Sequence, residues 1–276
     1  MLGKLIKYEI RATGRIFLPL YGLILAFALM NRLFRSAYPD AVEGLHQFPF
    51  DFPAFLNGLT MTVYVILIVV LFVGTLILTI QRFRKGLLSD EGYLMFTLPV
   101  KVHSHIDCRM IVTLMWTVLS LLVSALSIWI LSADGSTAEW FRESSRNLQE
   151  IFARYGNISW LILAECIAFF AVSVLAGTLQ IYAALAVGNL GSSHRQLASF
   201  GAYLGFGIIQ MFLLFALGAN LRSSAFSRWL GGIVRGHAPE ELLAAVLGCL
   251  ILYAALFGAA FYALTVWILS RKLNLE

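Results

Sequence analysis

Six stretches of this chain are so long and so continuously apolar that a lipid bilayer is the only solvent in which they make sense. They run over about residues 16–33, 59–80, 110–131, 158–187, 197–217 and 242–269. A helix needs about 20 apolar residues to cross the hydrocarbon. The first run reaches that length by including Arg32, whose long side chain can snorkel outward. Hydrocarbon offers the backbone no hydrogen-bond partner, so a spanning segment must be a helix or part of a closed barrel. None of the six runs alternates with period two, which excludes the barrel. Hydrophobic residues make up 60% of the chain and charged residues 13%, a balance foreign to water-soluble domains. The expectation is an all-α polytopic membrane protein, a single transmembrane domain over residues 1–276 with six spans.

Charge sets the orientation, because basic residues collect on the cytoplasmic side. With the N-terminus inside, Lys4, Lys7, Arg11, Arg15, Arg82, Arg84, Lys85, Lys101, Arg109, Arg195, Arg271 and Lys272 are cytoplasmic, and all five lysines are among them. The opposite face carries only arginines, together with most of the acids. Both termini are then cytoplasmic. The net charge of +5 reflects this asymmetry and an attraction to anionic lipid, with no nucleic-acid partner implied.

The segment before the first span is amphipathic. On a helical wheel Lys4, Lys7, Arg11 and Arg15 form one stripe, opposite Leu2, Leu5, Ile6 and Ala12. Residues 1–13 are expected to form an interfacial helix on the inner leaflet before the chain turns into the bilayer. Glu9 interrupts the apolar arc, either as a frayed surface residue or because part of the arc faces protein. The long basic region argues against a cleaved signal peptide despite Ala26-Phe27-Ala28. Cys108, Cys166 and Cys249 lie in or beside spans without a pairing or zinc pattern.

Two outer segments carry helix signals of their own. Ser136-Thr137-Ala138-Glu139 reads as a capping box, followed by Phe141, Leu148, Ile151, Phe152 and Tyr155 at helical spacing. Ala238-Pro239-Glu240-Glu241 suits the start of a helix, with proline in its first turn and acids at its positive end. Residues 48–55 form an aromatic, proline-rich ledge fit for the headgroup level.

Between the second and third spans lies a polar island, Gln81 to Lys101. Three cations leave the membrane, Ser89 can cap a short helix, and Asp90 and Glu91 occupy its positive end. Pro99 disfavours helical geometry at Leu98, which limits the helix to about two turns. Tyr93 and Phe96 share a face at i, i+3. An interfacial turn would account for the aromatics as lipid anchors. It would not account for an acidic pair on an otherwise basic surface, and a protein-docking role accounts for both.

Met1-Leu2-Gly3-Lys4-Leu5-Ile6-Lys7-Tyr8-Glu9, with the later Asp90-Glu91-Gly92-Tyr93-Leu94-Met95-Phe96-Thr97-Leu98-Pro99-Val100, resembles the permease subunits of type-2 ABC exporters of Gram-positive bacteria. The resemblance extends over the six-span layout. It implies that residues 2–12 are a connecting helix, that 88–98 are a coupling helix seated in an ATPase cleft, and that 188–196 make a second cytoplasmic contact. In that helix Ser89, Asp90, Glu91, Tyr93 and Phe96 would dock the ATPase, while Lys4, Lys7, Glu9 and Arg11 mark the interfacial helix. It also implies a second permease, identical or homologous, a peptide-like or amphipathic cargo, and a bacterial cell membrane. The family includes bacteriocin and peptide export and immunity systems.

No G-x-x-x-x-G-K-[ST] is present, so ATP and Mg would belong to separate ATPase subunits and this chain would hold no cofactor. H-E-x-x-H and G-x-S-x-G are likewise absent, which leaves an intramembrane hydrolase without a motif. His103, His105, Asp107 and Cys108 are metal-ligating types, but they sit at a membrane edge where polar residues are common, and no metal is expected. Glu165 is the one acid well inside a span. It is a structural residue, part of a cargo path, or the proton carrier of an ion-coupled transporter. Gln210 could line a polar-aromatic cavity with its neighbours. Gly201 and Gly205 form a G-x-x-x-G that lets helices approach closely, within one subunit or between two. The expected function is an ABC permease subunit. An ion-coupled secondary transporter and a non-transporting scaffold or immunity protein are the alternatives.

Once Cys108, Cys166 and Cys249 are replaced, cysteines introduced at Ser89 and Ser193 should resist an impermeant thiol reagent in intact cells, and one at Ser145 should react. The reverse labelling pattern would overturn the orientation.

Overall fold

The computed structural model describes residues 2–37, 52–87, 102–132, 135–190, 194–221 and 238–271. Among these residues every regular element is a helix. In chain order they are α1 (Leu2–Ala37), α2 (Phe52–Leu87), α3 (Val102–Leu131), α4 (Gly135–Tyr155), α5 (Asn157–Gly188), α6 (Arg195–Leu221) and α7 (Pro239–Arg271). All but α4 are long and apolar enough to cross a membrane. Their exposed residues are what a hydrocarbon solvent selects. Met211 is 75% exposed, Phe215 73% and Leu256 70%, values that would be costly in water.

The chain divides into two compact units, Met1–Thr79 with Ile111–Arg146, and Ile80–Met110 with Asn147–Glu276. The first unit is built on one stripe of α1. Ile6, Ile10, Phe17, Tyr21, Ile24 and Ala28 recur at helical spacing and pack with Tyr64 and Leu71 of α2 and Val112 and Trp116 of α3. The Phe17 ring stacks on Trp116 at 4.6 Å. The expectation of an interfacial helix followed by a turn into the first span is not what α1 does. It is one unbroken helix of 36 residues with Pro19 inside it. The reason is that the stripe carried by Ile6 and Ile10 continues into Phe17 and Tyr21, so the basic segment and the span share one packing face.

Polar side chains bind the three helices along that face. Trp116 Nε1 donates to Thr13 Oγ1 at 2.7 Å, and the Tyr21 and Ser120 hydroxyls pair at 2.9 Å. Tyr64 and Ser127 pair at 2.9 Å, and Thr60 donates to Asn31 Oδ1 at 2.8 Å. These pairs make α1 and α3 parallel, with α2 antiparallel to both.

The second unit centres on α5. Residues Thr178 to Gly188 are almost wholly buried, whereas most of the preceding half of the helix is exposed. Leu179, Tyr182, Ala183 and Leu185 pack with Phe83, Ile106, Phe261 and Leu269. Gly258 lies against Ala176, while Gly188 meets Ser199, so α7 runs parallel to α5 and α6 antiparallel. The corner between α4 and α5 is Gly156 at φ +55, a left-handed conformation that glycine adopts without strain. There Gly156 N–H donates to the Phe152 carbonyl, and the Phe152 ring meets Trp160 at 4.7 Å. The start of α7 follows its sequence signal, with the Ala238 carbonyl accepting from the Glu241 and Leu242 amides.

A Cβ added at Gly188 would run into the backbone of Ser199, which cannot rotate away. Gly188→Ala should therefore cost about 1–3 kcal/mol through overpacking, read as a lower midpoint of thermal unfolding in detergent. Gly201→Ala, where nothing lies within 4 Å of the new methyl, should leave the midpoint unchanged.

Candidate functional site

The residues Ser89, Asp90, Glu91, Tyr93 and Phe96, expected to form the docking helix, lie outside the described residues. The helical stems on either side of them are described, and they converge in the second unit. From the last turns of α2 come Arg82 and Phe83; from the first turns of α3 come His103, Ile106, Asp107 and Arg109.

Three contacts hold these stems. The Arg109 guanidinium, itself buried, donates to the backbone carbonyl of Arg82. A carbonyl oxygen has a second lone pair, so this contact does not require the α2 helix to give up its own bond. The Phe83 ring, fully buried, stacks on Tyr182 of α5 at 4.2 Å and 13°. Such a pair contributes about 0.5–1.5 kcal/mol beyond the area it buries. The third contact reaches α7, where Tyr262 O–H donates to Asp107 Oδ1 at 3.0 Å. Its single proton is thereby used, so the 3.1 Å contact with His103 Nδ1 has the imidazole as donor. The His103 ring also lies over Tyr262 at 5.9 Å. Both stems are thus tied to each other and to the tightly packed ends of α5 and α7.

His105 lies between these groups in sequence but two residues round the helix from His103 and Asp107, which places it on another face. It is buried, and its Nε2 has no hydrogen-bond partner. Cys108 is buried too. Among the described residues no three His, Cys, Asp or Glu side chains gather where they could hold a metal ion.

The remaining sequence candidates are dispersed. Lys4, Lys7 and Arg11 are exposed on α1, away from the stripe that packs, and Glu9 is half-buried. Glu165 is half-buried on α5, with Oε1 beside Gly248 of α7 and Oε2 buried without a partner. Gln210 acts through its backbone, its carbonyl accepting from Tyr253 at 2.9 Å. Gly201 and Gly205 have open space where a Cβ would stand among the described residues. The close approaches occur instead at Gly188 and Gly258.

Sequence reasoning did not single out Phe83, Arg109, Tyr182 or Tyr262 as a site. Arg109 was legible only as one more interior cation. The tyrosines sit inside apolar runs whose pattern says nothing about partners. Compared with protein-family models, curated proteins and solved structures, the chain matches none.

The contacts rank in energy. Tyr262→Phe keeps the ring and removes its hydrogen bonds, and should cost about 1 kcal/mol. Phe83→Ala empties a fully buried site and should cost about 3–5 kcal/mol. Thermal unfolding of the two variants in the same detergent checks the order; equal losses would mean that the stacking pair is not what holds α2 to α5.

Proposed function

We propose that this chain is the permease subunit of an ABC exporter, multi-pass in a bacterial cell membrane with both termini cytoplasmic. Residues 88–98 form its coupling helix, and Ser89, Asp90, Glu91, Tyr93 and Phe96 dock a separate ATPase subunit that carries ATP and Mg. A second permease, identical or homologous, completes the path for a peptide-like or amphipathic cargo. The observation that supports this best is the bracing of both stems of the 88–101 segment. A force applied to a segment held at one end would only bend it. Here a push would pass through Arg109 into α2, through Phe83 into α5, and through Asp107 and Tyr262 into α7.

The N-terminus fits the same reading. At 36 residues α1 is about 54 Å long, well beyond the about 30 Å of hydrocarbon. Its first turns, with Lys4, Lys7 and Arg11 exposed, belong in the headgroup layer of the inner leaflet, where cations meet anionic lipid. The orphaned oxygen of Glu165 favours a second reading, an ion-coupled transporter whose proton carrier is this carboxyl.

Glu91→Arg and Tyr93→Ala should reduce co-purification with an ATPase, or uncouple hydrolysis from export, by tenfold or more (about 1.4 kcal/mol) while membrane insertion stays normal. Glu165→Gln should leave ATP-dependent export intact. If both docking variants behave as wild type and the Glu165→Gln variant abolishes a transport that follows the pH gradient, the ion-coupled reading replaces the permease reading.

A further inference from the structure

One face of α3 presents Trp116, Ser120, Ser124 and Ser127 to the first unit. Three of these groups are engaged across helices, by Thr13, Tyr21 and Tyr64 respectively. The fourth is not. Ser124 is 7% exposed, and its hydroxyl has no hydrogen-bond partner. Serines in membrane helices usually satisfy themselves on a carbonyl three or four residues back, as Ser127 does on the Ser124 carbonyl at 2.8 Å. A buried hydroxyl left without either arrangement calls for an explanation.

Its position supplies one. Ser124 stands four residues beyond Ser120, one turn and about 6 Å along the axis. We propose that Ser124 is a second station for the Tyr21 hydroxyl, and that α1 moves along α3 by one turn between the two. Packed helices exchange discrete registers of this kind because interdigitated side chains allow no intermediate position.

The same step re-pairs the rest of the α1 face. Thr13 lies four residues before Phe17 and eight before Tyr21, so it advances from Trp116 to Ser120 as Tyr21 reaches Ser124. Glu9, one turn before Thr13, arrives at the Trp116 indole N–H and offers it an acceptor. Tyr64 and Ser127 belong to α2 and α3 and are undisturbed. The Thr60 bond to Asn31 opens, and Thr60 Oγ1 keeps a local acceptor, the Asn57 carbonyl already 3.0 Å away. The Tyr21 hydroxyl finds a serine hydroxyl in both registers. The inference does not depend on what the chain transports.

The test uses the full chain in lipid nanodiscs, with Cys108, Cys166 and Cys249 replaced by alanine and spin labels at Lys4→Cys and Ser132→Cys. These sites lie near opposite ends of α1 and α3, so a slide along the axis changes their separation almost fully. Pulsed dipolar spectroscopy should give two distance populations differing by about 6 Å. Adding Ser124→Ala should remove the second population, and adding Ser120→Ala should enrich it. A single population in all three proteins overturns the proposal. So do two populations whose ratio neither substitution changes.

Discussion

Helices surrounded by lipid gain nothing from hiding apolar surface in one another, because the lipid is as apolar as their side chains. What holds them must be close contact, or polar groups that have no better partner outside. Both units of this protein obey that constraint, in different ways. The first relies on side-chain hydrogen bonds, with Trp116, Ser120 and Ser127 of α3 receiving Thr13, Tyr21 and Tyr64. The second adds closeness to such bonds, with Gly188 against Ser199, Gly258 against Ala176, and the Phe83 ring flat on Tyr182, beside the hydrogen bonds of Arg109 and Tyr262. Each bond of the first kind is worth only about 0.6 kcal/mol on average in a membrane, so it is their repetition along one face that counts.

The division of labour shows in the burial of α5. The half of the helix nearest Phe83 and Ile106 is enclosed, and the half that carries Glu165 is open. The stems that flank residues 88–101 stand at the enclosed end.

Much of the architecture was legible in the sequence because hydrocarbon imposes a single local rule. Apolar runs of sufficient length have to be helices, and all six are. The helix over α4 and the start of α7 at Pro239 were legible because helical spacing and first-turn preferences are local. The contacts of the candidate site were not. Nothing in the run that contains Tyr262 distinguishes a tyrosine facing lipid from one bonded to Asp107, because the partner lies 155 positions away. The amphipathic N-terminus was legible as two-faced, with lipid and protein both open as what its apolar arc meets; Ile6 and Ile10 join the core of α1, α2 and α3, while Ala12 stays exposed. A wheel reports that a face is apolar and not what covers it.

The tie between Tyr262 and Asp107 has a consequence for biosynthesis. Asp107 and His103 emerge from the ribosome long before α7 exists. Until α7 inserts, the Asp107 carboxylate lacks its tyrosine, and Phe83 must also wait for Tyr182 of α5. The stems are therefore completed only once α7 has been made, and a chain cut short before α7 would carry an unfinished, polar notch where Asp107 and His103 lack Tyr262.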